Sequence, residues 1–345
     1  MIDWTTKQSH SFINPRIPDK DRPVLGELQD RLKGHIFLTT SGTERLKWVA
    51  LSKEAFLVSA EAVNRHLEAR ASDIWINALP YFHVGGLSIY ARAFLSRSHV
   101  SRYDHKWDPK AWATLVQEKR GSLASLVPTQ LWDLVNQKIE PIASLRALLI
   151  GGAPLSPELY SRAKEAGWPL MPTYGMTEMC SQVATATLDT PELKLLPHVE
   201  AKISPSGRLI LKSAALLTGY LTPEFSDPKV EGWFETEDRV ALSNGLLTPL
   251  GRTRDVIKIQ GELVNLYQLE RLLDQLKERL GISAETALVA KPDDRAGFHI
   301  HLYHTPYEIA PLIDLYNAQV APFSRIKEAK ELPEFPKTPL GKIKL

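Results

Sequence analysis

Residues 146–166, RALLIGGAPLSPELYSRAKEA, decide the fold. Arg146 leads into a short apolar run, Ala147–Ile150, that stops at Gly151-Gly152. Ser156-Pro157 then pairs a hydroxyl N-cap with a proline at the first helical position, where the missing N–H is not needed. The helix that opens there is expected to reach about Ala166. A wholly apolar strand feeding a capped helix through a glycine turn is half of a βαβ unit, the building block of parallel sheets covered on both faces.

The alternation repeats outward from this segment. GHIFLTT (34–40) reads as a strand ending in a polar loop, and Ser52 as the N-cap of a helix from Lys53 to about Ala69. DIWINAL (73–79) is a strand, followed by a loop and a helix through Leu87–Leu95. A helix from Pro109 to Glu118 leads to the strand SLASLV, and PTQLWDLVNQK follows as a helix. The expected fold class is α/β, a mostly parallel sheet with flanking helices. Near Thr185 the pattern changes to short β-like segments broken by Pro and Gly: AKISP, GRLILKS, GWFET, RVALS and GLLTPL. From about Gly251 a strand pair around VIKIQGELV precedes the helix LYQLERLLDQLKERL, the strands TALVAK and FHIHLYH, and the helix YEIAPLIDLYNAQV. The expected division is an arm at 1–33 with one helix near Leu25–Leu32, an α/β subdomain at 34–184, a β subdomain at 185–252 and a small α+β domain at 253–345.

Composition sets the outer limits. The 345 residues are 43% hydrophobic and 24% charged, which excludes a disordered or collagen-like chain. Lys plus Arg is 42 and Asp plus Glu 40, a net charge of +2, so charge gives no argument for nucleic acid or an acidic membrane. Cys180 is the one cysteine, so no internal disulfide forms. MIDWTTKQSH lacks a basic segment followed by an apolar run, and no apolar stretch has membrane-span length. The expectation is a cytoplasmic protein without membrane insertion.

Six segments carry chemistry. Thr39-Thr40-Ser41-Gly42-Thr43 is a hydroxyl- and glycine-rich loop after a strand, suited to phosphate, though an ordinary polar turn fits as well. Gly151-Gly152-Ala153-Pro154 lets a flat ligand lie against backbone, or simply makes a tight strand-to-helix turn. Tyr174-Gly175-Met176-Thr177-Glu178 sets an aromatic, a hydroxyl and a carboxylate around a glycine; Glu178 could hold Mg²⁺ or sit at a helix start. Asp238, in GWFETED, is placed to accept ribose hydroxyls, or is a β-turn acid. Gly251-Arg252-Thr253-Arg254-Asp255, with Lys258 and Gly261 beyond, suits anion contacts or a charged linker. Lys337-Thr338-Pro339-Leu340-Gly341-Lys342 holds a lysine on a Pro/Gly-bracketed loop, or is a basic tail.

Taken in order, these segments resemble the adenylate-forming superfamily of acyl- and aryl-CoA synthetases, peptide-synthetase adenylation domains and luciferases. The resemblance covers about residues 36–345. PYFHVGGL (80–87) resembles the family's histidine segment and GRLILKSAALLTGY (207–220) its next β segment. YGMTEMCSQVAT and PYFHVGGL most resemble the subgroup of o-succinylbenzoate–CoA ligases of menaquinone biosynthesis.

The resemblance implies an acid–CoA ligase using ATP, Mg²⁺ and CoA, with an acyl-adenylate intermediate and a small aromatic carboxylic acid as substrate. By the same resemblance, Thr40, Ser41, Gly42 and Thr43 match the loop that holds the outer phosphates. Gly151, Gly152 and Ala153 match the adenine wall, with Tyr174 on the base. Thr177 matches the α-phosphate ligand, Glu178 the Mg²⁺ ligand, and Asp238 and Arg252 the ribose contacts. Lys342 matches the catalytic lysine. Arg254 matches the hinge, and Lys258 and Gly261 the face presented in the thioester step. His83 matches a gate or orienting group, although a packed histidine is an equal reading. Cys180 fits packing better than nucleophilic attack.

The chain departs from the family at two places. The phosphate loop continues as Glu44-Arg45-Leu46-Lys47 without the family's Gly and Pro, so that Arg45 or Lys47 must supply the cation. Glu237 stands where the family has glycine before the ribose aspartate. Three further readings stay open: another aryl- or acyl-CoA ligase or one that uses a carrier-protein thiol, a nucleotide-binding protein that has lost catalysis, as these departures suggest, and a purely structural module. Only 38 residues precede Thr39, far fewer than the family implies. The expectation is a pared-down ligase whose bare sheet edge or face is covered by residues 1–33 or by a second subunit of a homodimer.

Overall fold

The structure is a computed structural model. It describes all residues except 1, 16, 18–24, 26–30, 41–46, 223, 294 and 337–345, and all side chains among them except those of residues 40, 222 and 254. The expected helix at Leu25–Leu32 and the positions Ser41, Gly42, Thr43, Glu44, Arg45 and Lys342 lie largely or wholly outside the described residues.

The chain begins with β1 (His10–Phe12), β2 (His35–Thr40) and β3 (Lys47–Ser52). β3 is a strand absent from the sequence reading: KWVALS has four buried central positions and runs into the next helix with no turn residue between. Ser52 caps that helix, α1 (Lys53–His66), by accepting from Ala55 N at 3.0 Å. The α/β stretch follows as β4 (Ile74–Asn77), α2 (Val84–Ser96), β5 (His99–Arg102), α3 (Pro109–Lys119), β6 (Leu123–Leu126), α4 (Pro128–Asn136), β7 (Ala147–Ile150), α5 (Pro157–Glu165) and β8 (Leu170–Met176). β5 is a second addition to the sequence reading.

A short 3₁₀ turn, Thr177–Met179, leads to β9 (Ser181–Thr185), β10 (Leu193–Leu195), β11 (Glu200–Ile203), β12 (Arg208–Lys212), β13 (Gly219–Thr222), β14 (Glu224–Ser226), β15 (Phe234–Ser243) and β16 (Leu246–Arg252). The last part holds β17 (Val256–Ile259), β18 (Glu262–Asn265), α6 (Leu266–Arg279), β19 (Thr286–Asp293), β20 (Gly297–His304), α7 (Ala310–Gln319) and β21 (Ile326–Glu331).

Among the described residues the largest sheet has eleven strands, in the order β11-β12-β15-β16-β10-β9-β8-β7-β6-β4-β5. Its core from β5 to β8 is parallel, as the strand–helix alternation requires. From β8 onward every pairing is antiparallel, so the sheet is mixed rather than mostly parallel. The cause is local: β8 and β9 are joined by one 3₁₀ turn, which is too short for a crossover helix and reverses the chain. One sheet thus runs straight across residue 185.

Every residue of the parallel strands β6 and β7 is buried because helices cover both faces; Trp75, Trp112 and Trp168 are fully buried there. A smaller sheet, β1-β2-β3-β13-β14, packs Ile36, Leu38, Val49 and Leu51 onto Phe56 of α1, Leu87 of α2 and Val183 of β9. Residues 2–12 of the arm cover this sheet: Trp4 is 6% exposed against Phe56, and β1 extends the edge beside β2. Lys53 anchors the arm, since its buried ammonium donates to the carbonyls of Asp3 at 2.6 Å and Thr6 at 2.9 Å. No helix among the described residues is long and apolar enough to cross a membrane.

Candidate active site

Open parallel sheets bind ligands at the carboxyl ends of their strands. Three expected segments lie at such ends: His83 beyond β4, Gly151–Ala153 beyond β7, and Tyr174 to Glu178 at the end of β8. The strand register brings the last two together, because Ile150 pairs with Pro172 and Thr173 Oγ1 donates to the Ile150 carbonyl at 3.3 Å. Gly151 admits no side chain, since a Cβ would collide with Thr173 Oγ1, and Gly152 turns the chain with φ +83°. The result is a bare backbone wall beside Tyr174.

The antiparallel half of the sheet supplies the facing groups. Asp238 on β15 pairs across the ladder with Arg252 on β16. Arg252 Nε donates to Asp238 Oδ1 at 3.0 Å, and the Tyr174 hydroxyl donates to Asp238 Oδ2 at 2.6 Å. Burial, then the charge of Asp238, pushes the Tyr174 phenol well above the ordinary tyrosine range, so it remains a donor. Asp238 is therefore held by two donors, each on one oxygen, with lone pairs left for a diol.

Glu178 sits on the 3₁₀ turn, where the Tyr220 hydroxyl donates to its Oε1 at 2.8 Å. The turn is fixed from β13, because Leu217 N donates to the Glu178 carbonyl at 2.8 Å. Burial, then the Glu178 charge, pushes the Tyr220 phenol far above the ordinary range. Glu178 forms no ion pair among the described residues. Mg²⁺ takes one or two carboxylates and fills its octahedron with phosphate oxygens and water, so a single uncompensated hard carboxylate fits this ion. No group of three or more His, Cys, Asp or Glu that could hold a metal occurs among the described residues.

The remaining expectations are placed as follows. Thr177 opens the 3₁₀ turn, half-buried beside Glu178. His83 is the N-cap position of α2 and its ring packs on Phe82 at 4.8 Å. Asn77 pins this loop by accepting from Leu79 N at 3.0 Å and donating to the Gly86 carbonyl at 3.0 Å. Thr40 ends β2 opposite Lys47, its side chain lying outside the described set. The Lys47 ammonium stands 3.6 Å from the centroid of the Tyr220 ring. Lys258 and Gly261 belong to the β17–β18 hairpin, exposed and outside the hydrogen-bonded group around Asp238. Arg254 lies in the short turn Thr253–Asp255, its side chain also outside the described set. The Cys180 thiol is fully buried, and burial pushes its pKa well up, which removes it as a nucleophile.

Sequence reasoning missed Arg92. The side chain is 1% exposed: Nη2 donates to Ser181 Oγ at 2.9 Å, the Trp75 ring lies 5.6 Å away, and Nε has no partner among the described residues. Burial alone lowers its pKa to about 9. A separate cleft of about 400 Å³, lined by His198, Glu200, Lys212, Ser213, Leu216 and Lys229, contains none of the expected residues.

The model of the family described as AMP-binding enzyme matches residues 33–221, more than half of the chain. The chain belongs to the AMP-binding enzyme family. Among curated AMP-binding enzymes it is 29% identical to the 2-succinylbenzoate–CoA ligase of Enterococcus faecalis, over 89% of this chain and 67% of that protein. It is 31% identical to the same-named ligase of Staphylococcus aureus strain MSSA476, over 78% of this chain and 57% of that one. Among solved structures, an o-succinylbenzoate coenzyme A synthetase from Bacillus subtilis in complex with AMP superposes with a TM-score of 0.78 at 25% identity, covering 89% of this chain and 67% of that one. The chain thus spans 57% to 67% of the length of these relatives.

Proposed function

We propose that the chain is an ATP-dependent acid–CoA ligase that makes an acyl-adenylate and passes the acyl group to CoA. The observation that carries this reading is the Tyr174–Asp238–Arg252 group beside the bare Gly151–Ala153 wall, with Glu178 at the end of the same strand. This set accepts a nucleotide: backbone and Tyr174 for the base, the two free faces of Asp238 for ribose hydroxyls, and Glu178 for Mg²⁺ on the phosphates. When bound, Mg²⁺ neutralises phosphate charge.

In the first half-reaction the acid's carboxylate oxygen attacks the α-phosphorus and pyrophosphate leaves. A carboxylate is already a nucleophile, so the site needs alignment and positive charge rather than a base. Thr177 is the nearest hydroxyl to that phosphorus in this reading, and Lys342 the cation that completes it. In the second half-reaction the CoA sulfur attacks the acyl carbon and AMP leaves. Arg254, Lys258 and Gly261 serve that step on the last domain, and His83 stands at the head of α2 on the acyl side.

Arg92 supports a particular acid. A buried guanidinium whose Nε has no partner among the described residues calls for an anion, and there its side chain donates only to a neutral hydroxyl. An acid with a second carboxylate, such as o-succinylbenzoate, would supply that anion. The reaction belongs in the cytoplasm, where ATP and CoA are found, and light scattering tests the homodimer expectation. The deciding experiment scores pyrophosphate release with ATP and Mg²⁺ across a panel of mono- and dicarboxylic aromatic acids, with and without CoA. Release with o-succinylbenzoate, and thioester only with CoA, is expected; no release with any acid refutes the reading.

A further inference from the structure

Lys47 and Glu178 both face Tyr220, yet they do not pair with each other among the described residues. The ammonium lies over the ring face, 3.6 Å from its centroid, and the carboxylate accepts from the hydroxyl at 2.8 Å. Tyr220 is rigidly placed. It pairs with Val49 across the β13–β3 ladder, Thr218 N donates to the Ala50 carbonyl at 2.8 Å, and Leu217 N holds the Glu178 turn. One phenol therefore joins the strand that leaves the phosphate loop to the turn that carries the metal carboxylate. The charge of Glu237, the family departure on β15, adds to burial and Glu178 in raising the Tyr220 phenol.

We propose that Tyr220 is a positioning residue that keeps the phosphate-facing Lys47 and the metal-facing Glu178 apart and available, the ammonium on its ring and the carboxylate on its hydroxyl. This rests on the ligase reading above. Without the ring, a lysine and a glutamate brought this close form an ion pair, and each then satisfies the other instead of MgATP. A neutral phenol avoids that. It attracts the cation through its face and the anion through its O–H, and cancels neither charge. Binding MgATP then breaks no salt bridge, which is the advantage of a preorganised site. Lys47 is the described cation next to a loop that lacks the family's Gly and Pro, so keeping it free matters more in this chain.

The test is calorimetric, on the whole chain. Wild type, Tyr220→Phe, Tyr220→Leu and the double variant Tyr220→Leu/Lys47→Met are titrated with ATP over a range of Mg²⁺ concentrations, and with AMP without metal. AMP reports the Asp238 group and should bind all four alike. Tyr220→Phe keeps the ring and loses the hydrogen bond, so MgATP affinity should fall about 10-fold. Tyr220→Leu should lose about 50-fold and need more Mg²⁺, because Lys47 now caps Glu178. Removing Lys47 in that background should restore the Mg²⁺ requirement toward that of wild type, which a merely structural tyrosine would not do. The proposal is overturned if both Tyr220 variants bind MgATP as wild type does, or if the double variant needs as much Mg²⁺ as Tyr220→Leu. If Tyr220→Leu does not fold, Tyr220→Phe decides: unchanged MgATP affinity overturns the proposal. Wild type that binds neither AMP nor MgATP sinks the ligase reading itself. Wild type that binds both, with silent Tyr220 variants, sinks the role of Tyr220 alone.

Discussion

Replacing Arg92 by methionine should stabilise the protein and cripple its use of a dicarboxylic acid. The side chain is 1% exposed, and its pKa falls from 12.5 to about 9 because burial disfavours the charged form. Keeping the cation protonated at neutral pH therefore costs on the order of 5 kcal/mol in the ligand-free protein. The sign follows from the direction. The folded state prefers the neutral group, so the penalty is complete below about pH 9 and fades as pH rises through that value. Ser181 returns part of the cost through one hydrogen bond at 2.9 Å, and Ser88 already donates to the same oxygen at 3.2 Å. Methionine fills a similar volume without charge. Such replacements are neutral or stabilising by about 1–4 kcal/mol, so the melting temperature should rise by a few degrees.

Affinity moves the other way. Removing one member of a buried charge pair costs about 2–5 kcal/mol, and 3 kcal/mol is roughly 150-fold. Arg92→Met should thus raise the KM for o-succinylbenzoate about 100-fold in a pyrophosphate-release assay, and change KM for a monocarboxylic aromatic acid by less than about 3-fold. The opposed signs make the prediction sharp. A lower melting temperature with both acids equally impaired would make Arg92 a packing residue, and an unchanged KM for the diacid would remove it from the acyl site.

Four further outcomes are expected. Tyr174→Phe loses the 2.6 Å bond to Asp238, a charge-assisted bond of about 1.5 kcal/mol, so calorimetry should show AMP binding weakened about 10-fold. Lys53→Met deprives the Asp3 and Thr6 carbonyls of their donor; limited proteolysis should then cut at Lys7 at a trypsin dose that leaves the wild-type arm intact. Among the described residues both ring nitrogens of His198 lack a partner, and burial lowers its pKa to about 4. Above pH 6.5 the ring is neutral folded and unfolded and its burial costs nothing, whereas about 3 kcal/mol of stability is lost as pH falls from 6.5 through about 4; His198→Phe should flatten this acid limb in urea titrations. Cys180→Ala should retain turnover, and wild-type Cys180 should resist alkylation until the protein unfolds.

The parts legible in the sequence are those whose signal is local. Residues 146–166 carry strand, glycine turn, N-cap and helix in one stretch, and the structure places β7 and α5 within a residue or so of those bounds. β3 escaped because KWVALS runs straight into the cap Ser52, and the turn that would announce a new strand is missing. β5, HVSR, is four residues long with exposed ends, so no period-two pattern stands out. The antiparallel turn after β8 was legible only in hindsight. The four-residue connection Thr177–Cys180 cannot hold a crossover helix, but its length is known only once β8 and β9 are placed. The site divides the same way. Tyr174, Glu178, Asp238 and Arg252 lie in or beside strand ends whose composition is unusual, and Tyr174, Asp238 and Arg252 meet because the sheet changes from parallel to antiparallel between them. Arg92 lies inside a helix, where one charge normally points to water. Its signal was negative: VGGLSIYARAFLS contains no other charged residue, so α2 has no polar face on which an arginine could lie. The helix nonetheless exposes Phe94 and Leu95, so it is packing against Trp75 and Ser181, invisible in the local sequence, that puts Arg92 inside. In the ligase reading, that position is what lets a second carboxylate of the acid reach a cation the sequence pattern does not announce.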